Sequence, residues 1–541
     1  MKSIRINIVD FLYFLVIGAF LLRHQLDLNN DSLLISNQQT SSIYYSIILE
    51  MGIIYFLARF LFQIKLSYEY IILLFLMVLC AYVLFLHYRF ILYNNFTLIG
   101  KFGGIFLNPG PLACFYSVCI CVASAFYFKM SSKWISGILL LVVVNCLVFL
   151  SLLMSRTAWL ATITSVVVYI LNKDNIIFKI RNNSFIVITA CLLVSTFFIH
   201  SYYAKQMSAD GRFFMDNICL RKIVHSGLSG NGLGTFCCAY GEEQLRFFEG
   251  ESYPKYPSEW GKCYEFKKKR IIADSPSRAF NEYLKIGVEA GPIVLLLFCL
   301  LLLYSCLLLI SKHNPYGYGL LALAIISLFS YPFSFWSFRI LLSLFLAVAG
   351  TICSNQIQRH FYVEIVGFLI LVYLYINCFN FRSDLKVAQI KWKEIEAKYE
   401  LQDEEYYENC SKIVGSMCYD PFFLYKYGLS LQESGLFNES NIILLMGSRI
   451  SCDPLFWDAM GSNYENLGDT NSAEECYKHA FWMLPNRLFP IYLLAKLYYE
   501  NDRKDELHAI CEFADKFEAK IENGATMQFR REIEKFKEIY N

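Results

Sequence analysis

Apolar runs long enough to cross a lipid bilayer constrain this chain more than any other feature of its sequence. Of its 541 residues, 56% are hydrophobic and only 17% are charged, which is more apolar surface than one water-soluble core can bury. About eleven such runs can be recognised. They are 8–23, 42–62, 68–91, 104–128, 134–153, 156–172, 184–201, 282–311, 317–335, 337–353 and 360–380. We therefore predict an all-α fold, built on a polytopic membrane bundle of about eleven spans.

Basic residues in the short loops predict which way this bundle faces. With the N-terminus in the cytoplasm, the cytoplasmic side collects about twice as many of them as the other side. The predicted cytoplasmic set is Lys2, Arg5, Lys65, Lys129, Lys133, Lys173, Lys179, Arg181, Lys312 and Arg359, against Arg23, Arg89, Lys101, Arg156 and Arg339 opposite. The long loop 202–281 and everything after 381 are then expected outside the cytoplasm.

Charged, amphipathic helices replace the apolar ones after residue 381. One stretch has the residue offsets typical of a tetratricopeptide repeat, and an earlier copy begins at Asp420, in register with Asp453. The matching positions are Trp457, Met460, Gly461, Tyr464, Ala473, Tyr477, Ala480 and Pro485. We predict a C-terminal α-helical repeat solenoid, a type of domain that usually binds protein segments.

Charge and cysteine usage exclude some functions. The net charge of +2 gives no electrostatic reason to expect a nucleic-acid partner. The 19 cysteines are scattered and show no spacing typical of metal ligands, so we expect no metal and no cofactor.

Two arginines stand where a hydrophobic chain is expected to meet water. Arg156 opens a span in SRTAW (155–159), and Arg212 lies at the head of the long loop in GRFF (211–214). An arginine at such a boundary is either an interfacial anchor or a planar fork that can grip phosphate bidentately. Since charge near lipid costs free energy, both are candidate site residues.

Three further segments accompany these arginines. GNGLGTF (230–236) is a glycine-rich turn, which alone is weak evidence for phosphate binding. FNEYLKIGVEAG (280–291) places Glu282, Lys285 and Glu289 on one helix face, as a water-lined cleft or a protein-packed interface would require. The stretch 253–270 interleaves aromatic and basic residues, which suits either a glycan on an anionic lipid or a packed lid.

In their order and spacing, these motifs resemble the O-antigen ligase/polymerase superfamily of bacterial membrane glycosyltransferases. The resemblance covers roughly residues 100–350 and includes GGIFLNPGPLA (103–113) as well as the segments above. It implies a GT-C-like bundle in the bacterial inner membrane. It also implies metal-independent transfer of glycan from undecaprenyl diphosphate, at the periplasmic face, to an acceptor: lipid A-core, protein or a growing O-antigen chain.

The resemblance also implies residue roles. Arg156 and Arg212 would be catalytic, binding the diphosphate and stabilising its developing charge. The candidate substrate-binding residues are Arg278, Asn281, Glu282, Arg339 and His225. Ligases of this superfamily carry a histidine before the asparagine, where this chain has Phe280, so the identity of any general base stays open.

The implied organisation is 1–201 N-terminal transmembrane helices, 202–281 a large periplasmic loop, 282–380 C-terminal transmembrane helices and 381–541 a periplasmic repeat domain, which offers a surface for a protein partner. Ligase, polymerase and protein glycosyltransferase are all compatible with these features. The alternative from another class is a non-catalytic membrane scaffold or transport component of a polysaccharide assembly complex.

Overall fold

The structure is a computed structural model that describes residues 7–29, 35–63, 68–93, 101–173, 202–203, 205–250, 264–354, 361–377 and 379–540. Throughout these ranges the regular elements are helices, which confirms the all-α prediction. The apolar part of the chain contains α1 (Ile8–Leu28), α2 (Ile35–Gln63), α3 (Tyr68–Tyr93), α4 (Pro109–Lys129), α5 (Lys133–Leu153) and α6 (Arg156–Lys173). The long loop contains α7 (Gln206–His225), α8 (Phe236–Glu249) and α9 (Tyr264–Ile272). After it come α10 (Glu282–Ala290), α11 (Pro292–Ser311), α12 (Pro315–Phe329), α13 (Trp336–Ser354) and α14 (Phe361–Asn377).

Seven of these helices are long and apolar enough to cross a membrane, so the chain is a multi-pass membrane protein by the length and composition of its helices. They are Ile8–Leu28, Ile35–Phe62, Glu69–Tyr93, Pro109–Lys129, Lys133–Leu153, Pro292–Ser311 and Trp336–Cys353. Pro315–Phe329 and Ile365–Asn377 are apolar but shorter. The run predicted at 184–201 lies outside the described residues.

The span predicted at 282–311 is wrong as a single helix. Gly291 interrupts it with φ of 89°, and Pro292 starts the next helix. Glycine tolerates this backbone conformation, and proline fits the first turn of a helix because it has no N–H to leave unpaired. The polar stripe of 282–290 therefore belongs to the short helix α10, separate from the apolar span α11.

Hydrogen bonds distinguish the two ends of the bundle. At one end, the start of α3 meets the end of α4 through an ion pair of 2.6 Å between Glu69 and Lys129, and Asn172 at the end of α6 donates to Ile310 O at 2.7 Å. At the other end, Asn108 caps α4 through Gly110 N and donates to Tyr331 OH at 3.2 Å. The loop helix α7 and the short helix α10 lie at this second end, where Arg212 donates to Phe329 O and Glu282 accepts from Phe333 N.

The chain after 378 forms ten further helices. They are α15 (Phe379–Lys398), α16 (Glu404–Ser411), α17 (Val414–Met417), α18 (Pro421–Glu433), α19 (Phe437–Ser448), α20 (Leu455–Asn466), α21 (Thr470–Met483), α22 (Phe489–Glu500), α23 (Lys504–Asp515) and α24 (Gly524–Tyr540). Three consecutive pairs, α18/α19, α20/α21 and α22/α23, pack against each other across the short turns 434–436, 467–469 and 501–503. Small residues permit this close packing: Gly428 faces Leu444, and Gly461 faces the ring of Tyr477.

The loop helices and the C-terminal helices share one apolar core. Phe214 and Ile218 of α7 and Tyr240 of α8 belong to the same buried cluster as Tyr477 and Leu494 of the C-terminal helices. Two further contacts join the C-terminal helices to α2, from Ser36 Oγ to Met446 O at 3.2 Å and from Gln39 to Gly415 O. The C-terminal helices are therefore docked at the same end of the bundle as the loop.

Candidate functional site

The two arginines singled out by the sequence come together at this end of the bundle. Arg156 begins α6, and Arg212 lies in the second turn of α7. Burial lowers the pKa of the Arg212 guanidinium, and the positive charge of Arg156 lowers it further, so the two like charges lie within electrostatic range of each other. Two cations within electrostatic range of each other favour an anion near them.

Aromatic side chains hold the Arg212 guanidinium in place. It lies 4.6 Å from the centre of the Phe280 ring, and its Nη1 donates to Phe329 O at 3.1 Å. Phe280 in turn contacts Tyr331 edge to face at 5.4 Å, and Arg278 lies 5.3 Å above that same tyrosine ring. Phe280 is thus a stacking partner for a guanidinium.

The segment GGIFLNPGPLA (103–113) reaches this same place. Asn108 bonds to Tyr331, and Phe106 contacts Phe335 edge to face at 5.3 Å. The Cys114 side chain, one turn into α4, lies beside Ser155 and Ser330. Segments that are far apart in sequence are therefore adjacent in the structure.

A cavity of about 330 Å³ lies between α2, α10, α13 and the glycine turn, and Arg278 in its wall stacks on the same Tyr331 ring that contacts Phe280. This volume lies within the range of about 300–1,000 Å³ that is usual for ligand pockets. Its polar and charged lining consists of Tyr44, Cys237, Ser277, Arg278, Glu282, Lys285, Glu289, Ser334 and Arg339. Three cations and two carboxylates in one cavity provide both donors and acceptors for a polar ligand.

Glu282 is held by its neighbours. Its Oε1 accepts a hydrogen bond from Phe333 N at 2.8 Å, while Arg339 Nη1 donates to Phe333 O at 3.4 Å. Burial raises the pKa of Glu282, and Lys285, the Phe333 N–H, Arg339 and Arg278 oppose that rise. Glu282 is therefore a paired carboxylate that orients the start of α13.

Lys285 and Glu289 face the same cavity. Lys285 Nζ donates to Tyr44 OH at 3.3 Å and lies 4.5 Å from the centre of that ring. Burial disfavours the charge of Lys285, but Tyr44, Glu289 and Glu282 outweigh this effect and raise its pKa. Burial raises the pKa of Glu289 to about 7, with Lys285 as the main opposing charge.

No protein-family model, curated protein or solved structure matches this chain. The chemistry of the site is therefore inferred from its own residues. Among the described residues, no group of three or more His, Cys, Asp or Glu side chains is arranged to hold a metal ion.

The glycine turn has a packing role. Leu233 N donates to Asp27 Oδ2 at 3.0 Å, and Asn231 N and Gly232 N donate to the carbonyls of Val288 and Glu289, each at 2.9 Å. With these N–H groups engaged, the turn is not an open phosphate cradle. It fastens α1 and α10 together and forms one wall of the cavity.

Two predicted substrate-binding residues have other contacts. Asn281 caps α10, since its side chain accepts from Tyr283 N and Leu284 N at 3.1 and 3.2 Å. His225, at the end of α7, pairs with Glu243 at 2.9 Å and is not part of the cavity lining. Arg278, Glu282 and Arg339 do line it. Residues 251–263 of the aromatic and basic loop segment lie outside the described residues.

Sequence reasoning missed several residues of the site. Lys285 and Glu289 were visible as part of a polar stripe but were not assigned to the site. Asn108 lies in the segment GGIFLNPGPLA, but nothing in the sequence assigns that residue a role. Tyr44 and Tyr331 have no comparable signal, because an isolated tyrosine at the end of an apolar run is common. Their roles arise from contacts between segments that are distant in sequence.

Proposed function

We propose that this protein is an integral-membrane glycosyltransferase that moves or polymerises glycan from undecaprenyl diphosphate. The observation that carries the proposal is that Arg156 and Arg212 lie within electrostatic range of each other, and that two stacked rings connect Arg212 to Arg278 in the wall of a polar cavity. As the glycosidic bond breaks, negative charge builds up on the departing diphosphate. Fixed guanidiniums near that charge stabilise the transition state more than the ground state.

The location of the site supports a reaction at the membrane surface. Arg156 lies at the start of α6 and Arg212 lies on a loop helix. A polyprenyl tail can stay in the bilayer while its diphosphate reaches charged groups at this depth. The bias of basic residues assigns this end of the bundle to the periplasmic face of the bacterial inner membrane in our proposal.

The C-terminal helices have a second role in this proposal. Their paired packing and the small residues at the helix crossings support a tetratricopeptide-like solenoid. Such a solenoid is suited to holding a protein partner or an acceptor beside the membrane. The donor, in contrast, is assigned to the arginine pair within the bundle.

Substitution of the two arginines tests the proposal. Lipid-linked glycan extracted from a strain that lacks the protein serves as donor, and membranes of the same strain provide the acceptor. We expect Arg156→Ala and Arg212→Ala each to reduce transfer about 100-fold or more, as loss of a charge-stabilising donor does in other enzymes. Lysine at either position should restore little, because a point charge lacks the planar fork.

Arg246→Ala is the matched control, since Arg246 is an exposed arginine on the same loop. It should leave transfer unchanged at equal protein abundance. Wild-type rates in both alanine variants at positions 156 and 212 would refute the proposal. Analysis of the products separates the subclasses: single-unit chains in the deletion strain indicate a polymerase, and lipid-linked polymer with a bare acceptor indicates a ligase or protein transferase.

The alternative is a non-catalytic scaffold or transport component. The feature that favours it is Phe280, which stacks on Arg212 at the position where the ligases have a histidine. Purified wild-type protein that transfers no glycan, although its deletion disrupts polysaccharide assembly in cells, would support this alternative.

A further inference from the structure

Glu289 is a buried carboxylate in the wall of the cavity. Its side chain is only 5% exposed and lines the cavity, and its Oε1 has no hydrogen-bond partner among the described residues. Buried polar atoms normally have a partner, and leaving one without a partner costs free energy. An occupant of the cavity that donates a hydrogen bond, such as a hydroxyl group, would satisfy this oxygen.

Several groups around Glu289 favour the charged form of its carboxylate, and others oppose it. Gly234 N and Phe236 N, in the glycine turn and at the start of α8, face the carboxylate and oppose its protonation. Lys285, one turn earlier on α10, does so more strongly, whereas Glu282 and burial favour the protonated form. Together, the titratable and charged groups that face it are Lys285 and Glu282 of α10, Tyr44 of α2, Cys237 of α8, and the cavity arginines Arg278 and Arg339.

Glu289 differs in this respect from the other carboxylate of the cavity. Glu282 already accepts a backbone hydrogen bond from Phe333 and lies near two arginines. Glu282 Oε1 is therefore already engaged in holding the backbone that leads into α13. Burial brings the pKa of Glu289 to about 7, which is close to the value that suits a general base at neutral pH.

We propose that the cavity is the acceptor subsite and that Glu289 takes up the proton of the attacking sugar hydroxyl. This inference rests on the proposed glycosyltransferase function. The hydroxyl oxygen forms a new bond to the anomeric carbon of the donor sugar, and the bond from that carbon to the diphosphate oxygen breaks. The electron pair leaves with the diphosphate, beside Arg156 and Arg212, and the hydroxyl proton moves to Glu289, which later releases it to water.

A saccharide is the acceptor that this cavity suits best. Lys285, Arg278 and Arg339 offer donors, and Glu282 and Glu289 offer acceptors, around a volume of about 330 Å³. The aromatic rings of Phe20, Phe298 and Phe333 line the same cavity and can pack against the apolar faces of sugar rings. Among the open subclasses, this favours a ligase or polymerase over a transferase that acts on protein side chains.

The pH dependence of transfer by Glu289 variants tests the inference, with the donor and membranes described above. Only the deprotonated carboxylate can accept a proton, so wild-type transfer should fall as the pH falls through about 7. Glu289→Gln should reduce transfer about 100-fold or more and remove this acidic limb, while binding of undecaprenyl diphosphate stays within about twofold. Glu249→Gln, which changes an exposed carboxylate on α8, is the control and should behave as wild type.

Glu289→Asp keeps a carboxylate but shortens the side chain by one methylene. It provides a second test if Glu289→Gln does not fold. We expect it to transfer slowly, with an acidic limb at a shifted pH. Glu289→Gln or Glu289→Asp with the rate and pH profile of wild type would overturn the assignment of Glu289.

The two proposals can fail separately. Inactive arginine variants combined with a fully active Glu289→Gln refute the role of Glu289 alone. Fully active arginine variants refute the assignment of the diphosphate to Arg156 and Arg212, whatever Glu289 does. A purified wild-type protein without transfer activity refutes both.

Discussion

At the scale of the residue, a buried ion pair joins three helices of the bundle. Arg59 of α2 is 0% exposed, and its Nε and Nη2 donate to the two oxygens of Asp10 in α1 at 2.9 and 2.7 Å. Its Nη1 also donates to Thr351 Oγ1 of α13 at 3.0 Å. A charge this deeply buried is tolerated because both carboxylate oxygens of Asp10 and all three guanidinium nitrogens of Arg59 are paired.

We predict that Asp10→Asn destabilises the protein strongly, because it leaves the Arg59 guanidinium without its counter-charge. Breaking one partner of a buried pair typically costs about 3–5 kcal/mol. Thermal unfolding in detergent should show a clear drop in the midpoint for this variant. Asp384→Asn, in an exposed part of α15, is the control. Equal midpoints for Asp10→Asn and wild type would mean that the pair contributes no stability.

Single residues also show where sequence reasoning reaches its limit. Arg156 and Arg212 can be recognised as candidate site residues from the sequence, because a charged side chain at the edge of an apolar run costs free energy. Tyr331 and Phe280 were not, since aromatic residues are expected throughout a membrane bundle. Their role depends on geometry, in which one ring supports Arg278 and the other supports Arg212.

At the scale of the element, the glycine turn and α10 depend on one close backbone contact. Gly230 has φ of 72°, and a Cβ at this position would lie 2.6 Å from Glu289 O. Gly227, three residues earlier, has φ of 68° but open space around it. Both positions therefore require the left-handed backbone conformation that glycine tolerates, but only Gly230 also lacks room for a side chain.

We predict that Gly230→Ala is more destabilising than Gly227→Ala. Both variants place a Cβ in a left-handed conformation, at a cost of roughly 1–2 kcal/mol. Gly230→Ala must in addition push the turn away from α10, which adds about 1–3 kcal/mol. Unfolding midpoints in detergent measure the difference. Matching midpoints would mean that the turn shifts freely, and that the cavity wall is less rigid than its hydrogen bonds indicate.

The break at Gly291 shows why one span was predicted where two helices exist. Glycine followed by proline is a typical signal for the end of one helix and the start of another. The long apolar run of α11 after Gly291 obscures this signal in the sequence. The signal matters for function, because it separates the polar α10, with Lys285 and Glu289, from the membrane-spanning α11.

At the scale of the whole molecule, the long loop and the C-terminal helices behave as one folded unit. Gln244 of α8 donates to Met483 O at 2.6 Å, and Arg270 at the end of α9 donates to Glu518 O at 2.9 Å and stacks on Phe517 at 4.1 Å. The sequence predicts the two parts separately but not this docking, because the contacts join positions more than 200 residues apart. Deleting 381–541 would expose the apolar faces of α7 and α8 to water. Loss of activity in the deletion variant would therefore not show whether the C-terminal helices bind the acceptor.

A point substitution in the docking contact is therefore the sharper experiment. The buried Asn486 side chain donates to Arg270 O at 3.0 Å and to Ala273 O at 2.8 Å, just before the segment that carries Arg278 into the cavity. Asn486→Ala leaves both carbonyls without this donor, which we expect to cost about 1–3 kcal/mol and to lower the unfolding midpoint. Asn501→Ala removes an exposed asparagine just after α22 that bonds to Leu497 O of that helix at 2.8 Å, and it should change the midpoint little.

Because Arg278 follows the docked segment, we also expect Asn486→Ala to weaken transfer more than Asn501→Ala does. Equal effects of the two variants on both stability and transfer would mean that this contact does not hold the cavity in place.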